Sequence, residues 1–316
     1  MNIDVNVLDA GERVIYALRS LYMAKGYRRY RMSKFEEYDF YSRNKSFLVS
    51  EDVITFTDTN GRLMALKPDV TLSIIKNTRD GEGTQRLCYN ENVYRVSGST
   101  RAFREITQTG VECIGNVGTA EISEVLSLSA GSLEAIGKPY ILEISDLDVL
   151  SGFISDLGLG KEESDEVLRL SAEKNLHGIQ SECEKGGVDE KAVKALTELL
   201  AISLPPDAAL ERLERLCSES GCPERIRALR DVLGAMDDQD VKQHMRVDFS
   251  LYGNPRYYNG IVFKGYVEGV YESVLSGGRY DALMQRLGRK ASAIGFAVYL
   301  DRLERLDMGK AGASAC

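Results

Sequence analysis

The chain has 316 residues, of which 43% are hydrophobic and 28% charged, a composition typical of a soluble protein with one large domain or two small ones. No apolar run approaches the roughly 18 residues that a membrane-spanning helix needs. The first residues, MNIDVNVLDAGERV, have neither the basic nor the apolar segment of a signal peptide, so we expect a cytoplasmic location. A net charge of −8 provides no general attraction to nucleic-acid backbones.

The sequence contains six cysteines and only two histidines, and no CxxC pair occurs. This spacing argues against both a zinc site and a disulfide framework. We therefore expect no metal, and reduced thiols at all six positions: Cys88, Cys113, Cys183, Cys217, Cys222 and Cys316.

Two amphipathic helices are predicted in the first half of the chain. Apolar residues recur at helical spacing over residues 11–25 and again over residues 119–136. Gly26 and Gly137 follow these segments as the expected helix ends.

Strand-like segments rich in β-branched and aromatic residues lie between and after these helices. Asn60 and Gly61, within the stretch Thr59–Arg62, predict a hairpin turn between two of them. The segments cover residues 46–58, 62–66, 85–96, 106–115 and 139–145.

The composition changes after about residue 147, where Glu, Lys, Leu and Ala dominate. Helix starts at Asp189, Pro206 and Pro223 predict a small, all-helical insertion over residues 159–240. Strand character resumes from residue 245 to about residue 275, and a final helix is predicted over about 294–308. The pattern thus indicates a mostly antiparallel α+β core, formed by residues 1–158 and 241–316, that the helical insertion interrupts.

Five short motifs make the sequence more specific, because they occur in one order over about 240 residues. They are KPDVT at Lys67–Thr71, a strand–loop–strand segment at Val93–Gly115, RYYNGIVFKGY at Arg256–Tyr266, GGRYD at Gly277–Asp281 and IGFAVYLDRL at Ile294–Leu303. Together they resemble the core of the class II aminoacyl-tRNA synthetases, and within that class the histidine-specific branch. The resemblance implies an α+β fold in which helices flank a mostly antiparallel sheet.

The resemblance also implies a pocket that binds free histidine. Asp69, Thr71 and Gln108 would meet the α-ammonium group, and Glu112 and Tyr258 would bracket the imidazole ring. Further walls would be formed by Tyr257 and by the backbone of Gly277 and Gly278.

Each of these residues has an alternative interpretation that the sequence alone leaves open. Asp69 follows a proline and could be a turn residue. Gln108 and Glu112 lie at even spacing on one strand, so both could simply face solvent. Tyr257 and Tyr258 could be ordinary aromatic residues of the sheet.

The groups that activate an amino acid with ATP are largely missing from the motifs. Gly253 stands where the family has a catalytic arginine, with Arg256 as a stand-in three residues away. Arg95 and Arg302 match nucleotide-binding arginines and are retained as vestigial contacts, although an ion pair with a neighbouring carboxylate would equally explain Arg302. Ser33 replaces the proline of the family's first motif.

A paralogous family has this combination of a kept histidine pocket and lost activation residues. It comprises the regulatory subunits of the short-form ATP phosphoribosyltransferases. The resemblance implies a non-catalytic protein that binds histidine, forms a homodimer within a hetero-oligomer with the short catalytic subunit, and needs no cofactor, tRNA or membrane. We also expect no anticodon-binding domain after the last motif.

Two other hypotheses stay open at this point. One is a truncated enzyme that activates histidine with ATP, and the other is a synthetase fragment whose anticodon domain is a separate chain. Histidine-dependent exchange of pyrophosphate with ATP distinguishes both from the regulatory subunit.

Overall fold

The computed structural model describes residues 7–48, 52–81, 83–98, 100–236, 238–251 and 257–303. Within these ranges the strands are β1 Arg28–Arg29, β2 Phe35–Glu37, β3 Thr55–Thr57, β4 Leu63–Leu66, β5 Gln85–Val96, β6 Phe103–Gly115, β7 Tyr140–Asp146, β8 Ser203–Leu204, β9 Met245–Asp248, β10 Ile261–Val267, β11 Leu275–Arg279 and β12 Ser292–Tyr299. The helices are α1 Ala10–Ala24, α2 Tyr38–Arg43, α3 Val70–Asn77, α4 Thr119–Glu134, α5 Leu147–Ser155, α6 Lys161–Ala172, α7 Leu176–Lys185, α8 Glu190–Leu200, α9 Pro206–Glu219, α10 Arg227–Gly234, α11 Gln239–Gln243 and α12 Asp281–Arg286.

Nine of the described strands form one mixed sheet in the order β1-β5-β6-β12-β11-β10-β7-β9-β8. Six of its pairings are antiparallel, and the pairs β1–β5 and β7–β9 are parallel. A separate three-stranded sheet has the order β2-β4-β3. The α+β class and the dominance of antiparallel pairing agree with the prediction, and the two parallel pairs are additional.

The two faces of the large sheet have different roles. On one face α1 and α4 pack against the sheet in a hydrophobic core, where the Tyr22 hydroxyl lies 3.0 Å from Ser132 Oγ. On the other face α3, α12 and the small sheet form a second cluster around Tyr41, Tyr89 and Tyr280. Because this second face is only partly covered, it is where the sheet can present side chains to a ligand.

The two helices predicted in the first half are confirmed. Helix α1 begins after Asp9, which forms a capping box with Glu12. Gly26 and Gly137 follow α1 and α4 with φ of +82° and +74°, a conformation that glycine adopts without the steric cost of a Cβ atom.

The hairpin turn at Asn60–Gly61 is also confirmed, since it joins β3 to β4. The strand predicted over 46–58 is mostly wrong. Residues 45–47 form a short 3-10 turn, only Thr55–Thr57 pairs as a strand, and residues 49–51 lie outside the described ranges.

The final helix predicted over 294–308 is wrong for its first part. Residues Ser292–Tyr299 form β12, and helix begins only at Leu300. Ile294, Phe296 and Val298 face the α1–α4 core, and the alternating positions face the opposite side. Because both faces of β12 are buried, apolar residues occur at successive positions, and such a run does not reveal its period. Residues from 304 onward lie outside the described part.

The segment after residue 158 contains helices α6 to α11. Asp189 caps α8 and Pro206 begins α9, as predicted, whereas Pro223 begins a 3-10 helix that leads into α10. It is not wholly helical, because β8 pairs with β9 at the edge of the large sheet. Its buried residues belong to the same hydrophobic cluster as the core of the sheet. The division into residues 1–158 with 241–316 and 159–240 remains a prediction.

Candidate ligand-binding site

A cavity of about 340 Å³ opens on the partly covered face of the large sheet. Its floor is formed by β5, β6, β11 and β12, and its walls by the start of α3 and by the residues after position 256. The volume lies at the lower end of the range for small-molecule sites. The lining residues are Phe47, Leu48, Asp69, Val70, Thr71, Tyr89, Arg95, Gln108, Glu112, Tyr257, Tyr258, Ser276, Tyr280, Gly295, Phe296, Ala297 and Tyr299.

Glycines on two adjacent strands make room for the polar groups on this floor. A Cβ atom on Gly295 would stand 1.9 Å from Glu112 Oε2, and one on Gly110 would stand 2.7 Å from the Tyr89 hydroxyl oxygen. Both distances are far shorter than a van der Waals contact. The carboxylate of Glu112 and the ring of Tyr89 can therefore lie flat over the sheet only because these positions have no side chain.

Glu112 lies at the centre of the floor and is 1% exposed. Its Oε1 accepts a hydrogen bond from Thr71 Oγ1 at 2.6 Å, and its Oε2 accepts one from the Tyr280 hydroxyl at 2.5 Å. Burial raises the pKa of this carboxyl group to about 8, although both hydrogen bonds act in the opposite direction. With this raised pKa, Glu112 is largely protonated at neutral pH, and it can either donate or accept a further hydrogen bond.

Asp69 is both a helix cap and a wall of the cavity. Its Oδ1 accepts from the backbone N–H of Leu72 at 2.8 Å, which caps α3. Its Oδ2 lies 3.9 Å from Arg95, whose Nε donates to the Pro68 carbonyl at 3.0 Å. Burial raises the pKa of Asp69, and Arg95 partly offsets this effect. Asp69 therefore has a local backbone role, as the cap of α3, and also lines the cavity.

The remaining predicted residues also lie around the cavity. Gln108 is 4% exposed and lies on the same face of β6 as Glu112, so neither faces open solvent. The rings of Tyr257 and Tyr258 lie 4.6 Å apart by centroid, and Tyr257 also contacts Tyr280 at 5.9 Å. The structure thus brings all six predicted histidine-binding residues to one cavity, together with Arg95.

Other predicted positions are placed elsewhere. Arg302 is absent from the cavity lining, and its guanidinium lies 4.3 Å from the Tyr299 ring centre and 3.2 Å from Glu272. The sequence had left open an ion pair between Arg302 and a carboxylate close to it in the chain. Arg302 does form an ion pair, and its partner is the more distant Glu272. Gly278 packs behind Tyr258, and Gly277 faces the opposite core. Gly253 and Arg256, the predicted position of the lost arginine and its stand-in, lie outside the described residues.

Sequence reasoning did not assign a role to Tyr280, whose hydroxyl is one of the two donors to Glu112. The signal was present, because Tyr280 is the tyrosine of the GGRYD motif. Tyr89, Ser276 and Tyr299 were also missed, and Ser276 Oγ lies 2.6 Å from the Tyr299 hydroxyl. These residues belong to the sheet floor, and only the strand register places them beside the pocket.

Over the described residues, no group of three or more His, Cys, Asp or Glu side chains is arranged to hold a metal ion. Five cysteines fall within those ranges, and all are free thiols. In the same part of the chain, no helix has both the length and the apolar composition required to cross a bilayer.

The family model for histidyl-tRNA synthetase matches residues 7–303. An ATP phosphoribosyltransferase regulatory subunit from Caldanaerobacter subterraneus is 31% identical over 293 residues, which cover 90% of this chain and 75% of that protein. A regulatory subunit/histidyl-tRNA synthetase from Bacillus halodurans superposes with a TM-score of 0.81 at 23% identity, over 94% of this chain and 79% of the other. A chain of an ATP phosphoribosyl transferase complex from Thermotoga maritima superposes with a TM-score of 0.68 at 20% identity, over 92% and 97% of the two chains. The two structural matches support the fold, and the first relative supports the narrower family.

Proposed function

Because the chain belongs to the histidyl-tRNA synthetase family and is, within it, a regulatory subunit of ATP phosphoribosyltransferase, we propose that its cavity binds free histidine and thereby controls that enzyme. The observation that supports this proposal is the convergence of six side chains on one cavity. Together these side chains offer acceptors for an ammonium group and hydrogen-bonding groups for an imidazole ring.

The amino-acid end of the ligand would bind near the start of α3. Asp69 and Gln108 supply oxygen acceptors for an ammonium group, and Asp69 keeps Oδ2 available because Oδ1 is used as the helix cap. A buried carboxylate beside an ammonium group forms a charge-assisted hydrogen bond, which is stronger than a neutral one.

The imidazole end would bind at Glu112 and Tyr258. The raised pKa of Glu112, about 8, lies close to the range in which an imidazole titrates. A proton can therefore be shared between the two at little cost, which a neutral amide or phenyl ring cannot do. An amino acid with an amide or a phenyl ring in place of the imidazole would leave polar groups of the site unpaired. Each unpaired group would reduce the free energy of binding by about 1–3 kcal/mol. The pocket is thereby selective for histidine.

The chain is a non-catalytic partner of the enzyme rather than an enzyme itself. Control then requires two states of the hetero-oligomer with different affinities for histidine. A coupling free energy of about 1–3 kcal/mol between the histidine pocket and the catalytic subunit is sufficient for feedback inhibition. The partner that we propose is the short catalytic subunit, and cytoplasmic location remains a prediction.

We also propose that the chain is a homodimer within that assembly. The small sheet offers a suitable surface, since Phe35 and Phe56 are 53% and 37% exposed and their rings meet at 5.4 Å. Exposed apolar patches of this kind are typical of protein interfaces. Sedimentation velocity of the purified chain should give the dimer mass, and Phe35→Asp with Phe56→Asp should give the monomer.

Calorimetric titration of the chain with histidine tests the central proposal. We expect saturable binding, and we expect Glu112→Gln and Tyr258→Phe to weaken it by about tenfold or more, as the loss of a buried hydrogen bond to a charged group predicts. Glu184→Gln, an exposed change on α7, is the matched control and should leave the affinity unchanged.

The regulatory part is tested in the reconstituted complex with the short catalytic subunit. Histidine should inhibit the complex containing the wild-type chain and should fail to inhibit the complex containing Glu112→Gln. The proposal would be wrong if the wild-type chain showed no histidine binding in the titration. It would also be wrong if histidine still inhibited the complex containing Glu112→Gln.

A further inference from the structure

Helix α9 ends in a Schellman motif, in which a glycine turns the chain and two backbone hydrogen bonds close the last turn. Gly221 has φ of +71°, and its N–H donates to the Ser218 carbonyl at 3.2 Å. The N–H of Cys222 donates to the Cys217 carbonyl at 2.8 Å. The side chains of the two residues joined by this second bond commonly contact each other in the motif. At the end of α9, both of these residues are cysteines.

The two cysteines lie within the range that a disulfide bond can span. The 2.8 Å bond between the Cys222 nitrogen and the Cys217 oxygen, with standard backbone dimensions, places their Cα atoms at most about 6.7 Å apart. Disulfide-bonded cysteines usually have Cα atoms about 4.4–6.8 Å apart. Burial raises the pKa of the Cys217 thiol to about 12, and a hydrogen bond with the Cys222 thiol adds to this effect. The two side chains therefore point toward each other.

The two thiols differ in their access to solvent. Cys217 is completely buried, whereas Cys222 is the only cysteine within the described ranges that is not buried. The charge of Arg225, which also pairs with Asp156, acts on both sulfur atoms, and the charge of Arg230 acts on Cys217. Partly exposed thiols beside cationic groups are the ones that react. Cys222 is thus the thiol that a reagent reaches first, and Cys217 is placed to react with it in a second step.

We propose that Cys217 and Cys222 form a dithiol site that exchanges with low-molecular-weight disulfides. The Cys222 thiol loses its proton and attacks one sulfur of the reagent, which forms a mixed disulfide and releases one small thiol carrying a proton. The Cys217 thiol then loses its proton and attacks the Cys222 sulfur, which releases the second small thiol in the same way. Two protein thiols are oxidised by two electrons in total, and the reagent is reduced to two thiols.

Peptide mapping of the full-length wild-type chain after incubation with glutathione disulfide tests the site without any substitution. Remaining thiols are alkylated rapidly in urea before digestion, so that no exchange follows. We expect a disulfide between Cys217 and Cys222, little glutathione left on the chain, and full reversal by dithiothreitol. The proposal would be overturned by an absence of reaction, by a persistent glutathione adduct on Cys222, or by a bond from Cys222 to another cysteine, Cys316 included.

Cys217→Ala separates the two steps. Without the second thiol the glutathione adduct on Cys222 should persist, at a level at least about tenfold above that of the wild-type chain, because the intramolecular step is lost. Cys183→Ala is the matched control, since Cys183 is buried on α7, and this variant should form the Cys217–Cys222 bond as the wild-type chain does. Equal adduct levels in Cys217→Ala and the wild-type chain would show that the two thiols do not act as a pair, and the proposal would then fail.

Discussion

Glu112 and Gly295 face each other across strands β6 and β12, and the carboxylate of Glu112 fills the space in which a side chain at position 295 would begin. The pocket floor is therefore set by a pair of residues that are 183 positions apart in the chain and adjacent in the sheet. One member carries the titratable group, and the other makes its buried orientation sterically allowed.

Gly295→Ala should accordingly damage the site more than one methyl group would suggest. The added Cβ would stand 1.9 Å from Glu112 Oε2 and 2.5 Å from the Val111 carbonyl oxygen, which is backbone and cannot rotate away. Overpacking of this kind costs about 1–3 kcal/mol of stability or more. Urea unfolding should show this loss, and calorimetry should show no histidine binding in the folded fraction.

Gly234→Ala provides the control for the first prediction. Gly234 ends α10, and a Cβ atom there has no neighbour within 4 Å. The control should be as stable as the wild-type chain and bind histidine equally well. If Gly295→Ala behaved like this control, Glu112 would not occupy the position described.

The pH dependence of stability should contain a contribution from Glu112 with a defined sign. Its pKa is raised from 4.5 to about 8 in the folded chain, so between these values the folded state holds a proton that the unfolded state has released. Its contribution to stability is therefore complete below pH 4.5 and is lost as the pH rises through about 8.

Glu112→Gln removes this titration, and the comparison isolates it from Asp69 and Asp146, whose pKa values burial also raises. The difference in unfolding free energy between the variant and the wild-type chain should shift in favour of the variant between pH 5 and pH 9, by an amount on the order of a few kcal/mol. Parallel pH profiles for the two proteins would mean that Glu112 ionises normally.

Much of the site follows from the sequence, because the motifs that carry its residues occur in a fixed order. Asp69, Gln108 and Tyr258 lie in three separate motifs, and their resemblance to one family predicts that they meet. Spacing alone does not, since each residue could have been a turn, solvent-facing or sheet residue. What selects among these alternatives is the packing of α3 and the Tyr257–Tyr258 segment over the sheet.

The parts that could not be predicted depend on register and on contacts between distant residues. The strand β12 has apolar residues on both faces, so its period is hidden and the segment resembles a helix. The donors to Glu112 and the partner of Arg302 are decided by which residues the strands bring into contact. Tyr280 belongs to a motif, but its hydrogen bond to Glu112 is not evident from the sequence, and Glu272 is an ordinary residue until its contact with Arg302 is known.

Tyr280→Phe should show that this residue takes part in the site. Its hydroxyl donates to Glu112 Oε2, and its loss removes a bond that favours the ionised carboxyl group. Histidine affinity should fall by about two- to tenfold, and the pKa of Glu112 should rise further. Titration calorimetry over a pH series measures both effects.

Tyr271→Phe is the matched change, because that residue is fully exposed. It should alter neither the affinity nor its pH profile. A Tyr280→Phe variant indistinguishable from Tyr271→Phe would show that the hydroxyl is not needed to orient Glu112.

The isolated chain should not catalyse histidine-dependent exchange of pyrophosphate with ATP. Activation of a carboxylate at the α-phosphate requires preorganised cations, and removal of one such group typically costs about 10³-fold or more. Arg302 is bound to Glu272 and stacked on Tyr299, and it does not line the cavity. Arg95 is thus the one cationic side chain in the described lining of the cavity, and its Nε is already bonded to the Pro68 carbonyl. A histidyl-tRNA synthetase assayed in parallel supplies the positive control, and the affinity for histidine should be the same with and without Mg·ATP. Exchange at a rate near that of the synthetase would instead identify the chain as an activating enzyme.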